Sequence, residues 1–230
     1  MLTALRLVGT NVADRATNTN MAKTSRDRPS RTGIYVGLAL VVVVALGAAI
    51  LLSRPDGNTD GMPLDATVTV SGDSLPAFEG DPGSDAAIGL AAPSLTGQDF
   101  DGNQVAITDD GRPKVILFLA HWCPHCQREV PVLQSYSSET GFPDSVDIYS
   151  VATSYSSTQP NWPPSSWLER EGWTFPTLVD DPDSTAFQAF GQGGFPYYVL
   201  IDSSGQVALR MSGEQDPAAL ADLLVQLADL

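Results

Sequence analysis

The chain has two cysteines, Cys123 and Cys126, set in the run His121-Trp122-Cys123-Pro124-His125-Cys126. Two thiols at this spacing can close a disulfide, reopen it, and trade it with thiols elsewhere. A bridge this short closes almost no loop, so it restrains the unfolded chain very little and its role is chemical. Exchange needs a thiolate, and a helix N-terminus favours one through its unpaired N–H groups and dipole. His121, Cys123, His125 and Cys126 also form a set of soft or borderline ligands suited to copper or zinc. The chain holds no further Cys or His to complete such a site, and a strand end followed at once by a helix start splays these side chains. No metal site is assigned.

The flanking residues place the cysteines. Val115 to Ala120 is an unbroken apolar run after Gly111-Arg112-Pro113 and reads as a buried strand. Pro124 suits the first turn of a helix, where its missing N–H costs nothing. Val130, Leu133 and Tyr136 continue at helical spacing. Cys123 is therefore expected at the helix start, exposed enough to attack, with Cys126 one turn on and pointing inward. Pro131 falls inside this helix and is expected to kink it. Glu129 lies one turn beyond Cys126, within reach to accept its proton.

Further strands are expected around Pro93–Leu95 and Val105–Ile107, at Val146–Ala152 and at Thr177–Val179. Helices are expected at Ser165–Glu171 and Ser184–Phe190. Tyr197–Ile201 and Gln206–Arg210 flank the turn Asp202-Ser203-Ser204-Gly205 and read as a hairpin. An amphipathic helix follows from about Asp216, with Leu220, Leu223, Leu224 and Leu227 on its apolar face. Strands alternating with helices point to a mixed α/β sheet in three layers.

Ahead of this domain, Gly33 to Leu52 carries no charge and is almost wholly apolar. That is enough helix to cross a bilayer at about 1.5 Å per residue. Arg6, Arg15, Lys23, Arg26, Arg28 and Arg31 precede it against Asp14 and Asp27. The positive-inside rule then sets the N-terminus in the cytoplasm and the rest outside. Cleavage after Ala48-Ala49 is the alternative reading of this segment, and Met21 is an alternative start. Residues 53–87, rich in Gly, Pro, Asp and Ser, are expected to form an acidic, flexible linker, with a short strand at Thr67–Val70. The net charge is −15, and with the basic groups concentrated at the N-terminus the remainder is more acidic still. That balance excludes nucleic acid as a partner and otherwise argues for solubility.

Ala91-Ala92-Pro93-Ser94-Leu95, Ala120–Pro131, Phe175–Asp180, Ala189-Phe190-Gly191 and Gly194–Gly205 occur in an order that resembles the thioredoxin superfamily, and within it the membrane-anchored TlpA/ResA-like thiol-disulfide oxidoreductases. The resemblance spans about residues 88–228. It implies an α/β fold, thioredoxin-like in three layers (α/β/α) with a mixed central sheet, preceded by one transmembrane helix. The implied organisation is a cytoplasmic basic segment (1–32), the span (33–52), the linker (53–87) and a thioredoxin-like domain (88–230). The implied enzyme is monomeric and single-pass, with its catalytic domain outside the membrane. It exchanges disulfides with protein partners, needs no cofactor beyond its cysteine pair, and depends on a redox partner to recharge it.

The same resemblance assigns the site. Cys123 attacks, Cys126 resolves the mixed disulfide, and Glu129 matches a family glutamate. Pro124-His125 departs from the usual Gly-Pro and is the dipeptide of DsbA-like oxidants, in which a histidine charge stabilises the thiolate. A reductant-like scaffold thus carries an oxidant-like dipeptide, and both directions of electron flow stay open. A copper-handling module of the same fold is the third reading. Pro196 matches the superfamily's cis-proline. Trp122, Pro124, Phe195 and Pro196 are the expected lining of the substrate groove. Phe195 is bulkier than the usual residue there, and Trp122 either shields the site or packs on the sheet.

Overall fold

The computed structural model describes residues 65–230. The expected basic segment (1–32) and membrane span (33–52) lie outside the described residues. Among the described residues no helix is long and apolar enough to cross a membrane.

The strands are β1 (Thr69–Ser71), β2 (Ser94–Gln98), β3 (Gln104–Ile107), β4 (Lys114–Leu119), β5 (Asp147–Ala152), β6 (Thr177–Val179), β7 (Tyr197–Ile201) and β8 (Val207–Ser212). The helices are α1 (Pro124–Glu139), α2 (Pro164–Arg170), α3 (Thr185–Ala189) and α4 (Pro217–Ala228). All the strands join one sheet in the order β1-β2-β6-β5-β4-β7-β8, with β3 paired to β2. The pairs β4–β5 and β5–β6 are parallel, while β7 runs antiparallel to β4, so the sheet is mixed.

Strand β4 is buried along its whole length, as its unbroken apolar run requires. Its side chains alternate between two cores, in the two-residue period of a strand. Val115, Leu117 and Leu119 meet Val130 and Leu133 of α1, Trp167 and Leu168 of α2, and Leu220, Leu224 and Leu227 of α4. Ile116 and Phe118 meet Phe187 and Phe190 around α3, with Leu75 and Ala87. Helices therefore cover both faces, giving the expected three layers. Pro131 lies within α1 without ending it. Asp216 caps α4 by accepting the Ala219 N–H at 2.9 Å.

The expected start of the domain near Ile88 needs correcting. Ala66, Leu75 and Ala87 are buried, and the N–H groups of Leu75 and Phe78 donate to the carbonyls of Ala189 (2.8 Å) and Gly191 (2.9 Å). The fastening is Arg210, which is fully buried, as is its ion-pair partner Asp85. Its guanidinium also donates to the carbonyls of Pro76 (2.8 Å) and Phe190 (3.1 Å) and lies over the Phe78 ring. All three nitrogens of the guanidinium thus donate, four of its five N–H groups being engaged, as a buried cation requires. Gly191, at φ +89°, leaves the space: a Cβ there would collide with Arg210 and the Pro76 carbonyl. The Gly/Pro/Asp composition of 66–87 reads as a tether because these anchoring partners lie more than a hundred residues away in sequence.

Candidate active site

Strand β4 delivers the chain at Leu119 to the start of α1. Cys123 is the N-cap, in extended conformation (φ −72°, ψ 121°), and Pro124 follows at the first turn. Its N–H donates to the Ala120 carbonyl at 3.0 Å and its own carbonyl accepts the Gln127 N–H at 3.1 Å. Both cysteines are free thiols. Cys126 is fully buried, and Cys123 is 7% exposed, so the attacking thiol is more covered than its place at a helix start suggests.

The two thiols are driven apart in acidity. Cys123 is lowered to about 5, chiefly because the Cys126 thiol donates to its sulfur. Burial opposes this, while the N–H groups of Cys126 and His125 and, last, the His125 charge assist it. Cys126 is pushed strongly upward by burial and by the adjacent Cys123 sulfur. One thiol is thus disposed to ionise, while the other holds its proton until something takes it.

Beneath Cys126 lies Glu129, only 2% exposed. Its Oε1 accepts the Tyr198 hydroxyl from β7 and the Gln215 N–H at 2.8 Å. Burial raises its pKa and these two donors oppose the rise. Glu129 lies one turn beyond Cys126 on α1 and its charge adds, as the smallest contribution, to the rise of the Cys126 pKa.

At the surface, His125 Nδ1 lies 2.7 Å from Glu214 Oε1 and 2.9 Å from Arg128 Nη2, and Arg128 pairs with Glu214. His121 behaves differently. The Ser156 N–H donates to its Nε2 at 3.1 Å, so Nδ1 carries the proton and donates to the Pro160 carbonyl at 2.6 Å. Burial lowers its pKa and keeps the ring neutral. Both ring nitrogens are committed to the 154–161 loop, so the four-ligand set His121, Cys123, His125 and Cys126 does not assemble. Among the described residues no group of three or more His, Cys, Asp or Glu side chains converges on a metal position.

The Phe195–Pro196 bond is cis, as the resemblance implied. The pairing of Phe118 with Tyr197 brings this turn to the end of β4, and the Cys123 thiol donates to the Phe195 carbonyl at 3.7 Å. Trp122 both packs and walls the site: its Nε1 donates to the Ser154 carbonyl at 2.6 Å, and its ring meets Phe195 edge-on at 6.0 Å. Phe195 in turn stacks on Phe187 at 4.6 Å. The Phe195 carbonyl, next to cis Pro196, thus faces the Cys123 sulfur, and the Trp122 ring that precedes Cys123 meets the Phe195 ring. Residues not singled out from the sequence are Arg128, Tyr198, Glu214 and Gln215. Arg128 had a signal, one turn beyond His125 on the same helix; Tyr198 and Glu214 arrive from distant elements and had none.

A thioredoxin-like sheet that presents an acidic cysteine at a helix N-terminus, a protonated partner one turn on and a cis-proline opposite them defines a thiol-disulfide oxidoreductase. The Redoxin family matches residues 71–224, and the chain belongs to that family. It is similar to the thiol-disulfide oxidoreductase ResA of Geobacillus thermodenitrificans, at 30% identity over 55% of this chain and 70% of the relative. It is also similar to the thiol:disulfide interchange protein DsbE of Escherichia coli K12, at 23% identity over 78% of this chain and 85% of the relative. In fold it matches the crystal structure of a putative DsbE from Chlorobium tepidum, with a TM-score of 0.51 over 61% of this chain and 97% of that one, at 22% identity.

Proposed function

We propose that this enzyme exchanges disulfides with protein partners outside the cytoplasmic membrane, tethered by residues 33–52. The exchange runs through Cys123 and Cys126 in two displacements. The Cys123 thiolate attacks one sulfur of a partner disulfide; a mixed disulfide forms and the partner's other sulfur leaves as a thiolate. Cys126 then gives its proton to Glu129 and attacks the Cys123 sulfur. The partner's second thiolate departs, and the Cys123–Cys126 disulfide remains. Two electrons pass to the partner, and a separate redox partner must return them. Run backwards, the same steps oxidise a dithiol. No cofactor is required for either direction.

The observation that carries this reading is the split between the thiols: Cys123 is lowered to about 5, while Cys126 is fully buried and coupled to a buried carboxylate. Trp122, Pro124, Phe195 and Pro196 are proposed to hold the partner's chain. The test is Cys126→Ser. Without a resolving thiol, Cys123 should retain protein partners as mixed disulfides that reductant releases. If Cys126→Ser yields no such adducts, while Cys123→Ser and wild type behave alike, the exchange mechanism is wrong.

A further inference from the structure

His125 and Arg128 lie one turn apart on α1, and both turn to the same acid, Glu214, on the connection between β8 and α4. Arg128 donates to Glu214 through Nε (3.1 and 3.3 Å) and Nη2. His125 Nδ1 can serve only one neighbour at a time. When it carries a proton it donates to Glu214; when it does not, it accepts from Arg128. The cluster is exposed, so it adds little to fold stability. Its position is what matters, because Arg128 couples electrostatically to the Cys123 sulfur and His125 stands between the two cysteines. The next residue, Gln215, donates its N–H to Glu129. One short connection therefore touches the groups that surround the sulfur pair both above and below.

We infer that Glu214 is a positioning residue for the exchange reaction: it gathers His125 and Arg128 at the rim of the Cys123 thiol and offsets their positive charge. The pair is thereby held at a more reducing potential than Cys-Pro-His-Cys with an adjacent arginine would set alone. This rests on Cys123 being the attacking thiolate. Cations beside a thiolate stabilise the reduced state and make the disulfide more oxidising, so removing the offsetting acid should move the pair in that direction. Among the other titratable neighbours, Glu129 and Tyr198 also feel the Glu214 charge, which helps to hold both pKa values up, so its loss favours ionised Glu129 and trims the shift from that side.

The experiment is equilibration of full-length protein with glutathione buffers at pH 8 and at pH 5.5, in low and high salt. Glu214→Gln should favour the reduced form about threefold to tenfold, after allowance for solvent screening. A tenfold change is about 30 mV. Arg128→Gln should move the equilibrium by a similar factor the opposite way. Glu214→Gln/Arg128→Gln should return to within about twofold of wild type, and Glu214→Asp should stay there too. The Glu214→Gln shift should shrink at about 1 M salt, where the screening length falls to about 3 Å. A merely structural role would give neither the compensation nor the salt dependence. A wild type that equilibrates normally beside an unshifted Glu214→Gln, or a double variant that fails to compensate, overturns the assignment of Glu214 alone. A wild type that never equilibrates with glutathione removes the exchange reading and this inference with it.

Discussion

Glu129→Gln is the substitution that separates the two halves of the exchange. Glutamine keeps an oxygen for the Tyr198 hydroxyl and the Gln215 N–H, so neither buried donor is orphaned. Alanine would leave both unpaired, at about 1–3 kcal/mol each. What glutamine loses is the ability to take the Cys126 proton. Positioned general bases contribute about 10²–10⁴-fold, and a thiol pushed upward by burial has no solvent to use instead, so a loss of about 10²-fold or more in the resolving step is expected. Ellman's disulfide reports the steps in turn: attack by Cys123 releases the first thionitrobenzoate, and attack by Cys126 releases the second. In stopped flow the first release should keep its rate and the second should slow. Stability supplies an independent sign. Glu129 has a folded pKa above its ordinary value of 4.5 because of burial, so its contribution is full below about 4.5 and is lost as pH rises through the folded value. Glu129→Gln should therefore be more stable than wild type at neutral pH, with the difference closing below about 4.5. A second release within about twofold of wild type would refute the proton-acceptor role.

Arg210→Met leaves the Asp85 carboxylate buried without its counter-ion, with only the Ala87 N–H still donating to it, and should cost about 3–5 kcal/mol in urea unfolding, with proteolysis appearing first in residues 66–87; an undiminished midpoint would mean that the clamp does not hold this segment. His125→Ala should raise the Cys123 pKa by less than one unit, because its charge is the smallest of the causes that lower it. That corresponds to less than about 30 mV toward a reducing potential, and a larger shift in measured alkylation profiles would show the histidine to be the main activator. His121 has a folded pKa below its ordinary 6.5, so its contribution to stability is present above about 6.5 and is lost as pH falls toward the folded value. The Ser156 amide should lose hydrogen-exchange protection over that interval while amides of β5 keep theirs, and equal behaviour of both would show that the ring does not latch the loop.

Where local pattern and burial coincide, the chain is readable. The apolar run before the cysteines became β4, shifted by one residue at either end. The strand Thr177–Val179, the hairpin around residues 202–205 and the helix beginning at about Asp216 stand where local pattern puts them. Cys123 and Cys126 were marked by spacing alone, while the burial of Glu129 was not legible from its helical position. Contacts between distant segments were not readable. The segment from 66 to 87 is composed like a linker, yet it is held by Arg210, whose place in an amphipathic strand looked ordinary. Tyr198 was one aromatic in a buried strand, and only register with β4 turns it toward Glu129. Glu214 was one acid among many in an acidic chain, distinguished by a helix it meets across the fold. His121 had the chemistry of a ligand; its backbone partners, some forty residues downstream, take both of its nitrogens.

The most direct measurement is alkylation of the reduced protein by iodoacetamide across pH, with mass spectrometry assigning each adduct. Cys123 should react with a midpoint near 5, while Cys126 should stay unlabelled until the fold is lost. A midpoint of about 8.5, the value of an ordinary thiol, or first labelling at Cys126, would contradict the division of labour between the two sulfurs.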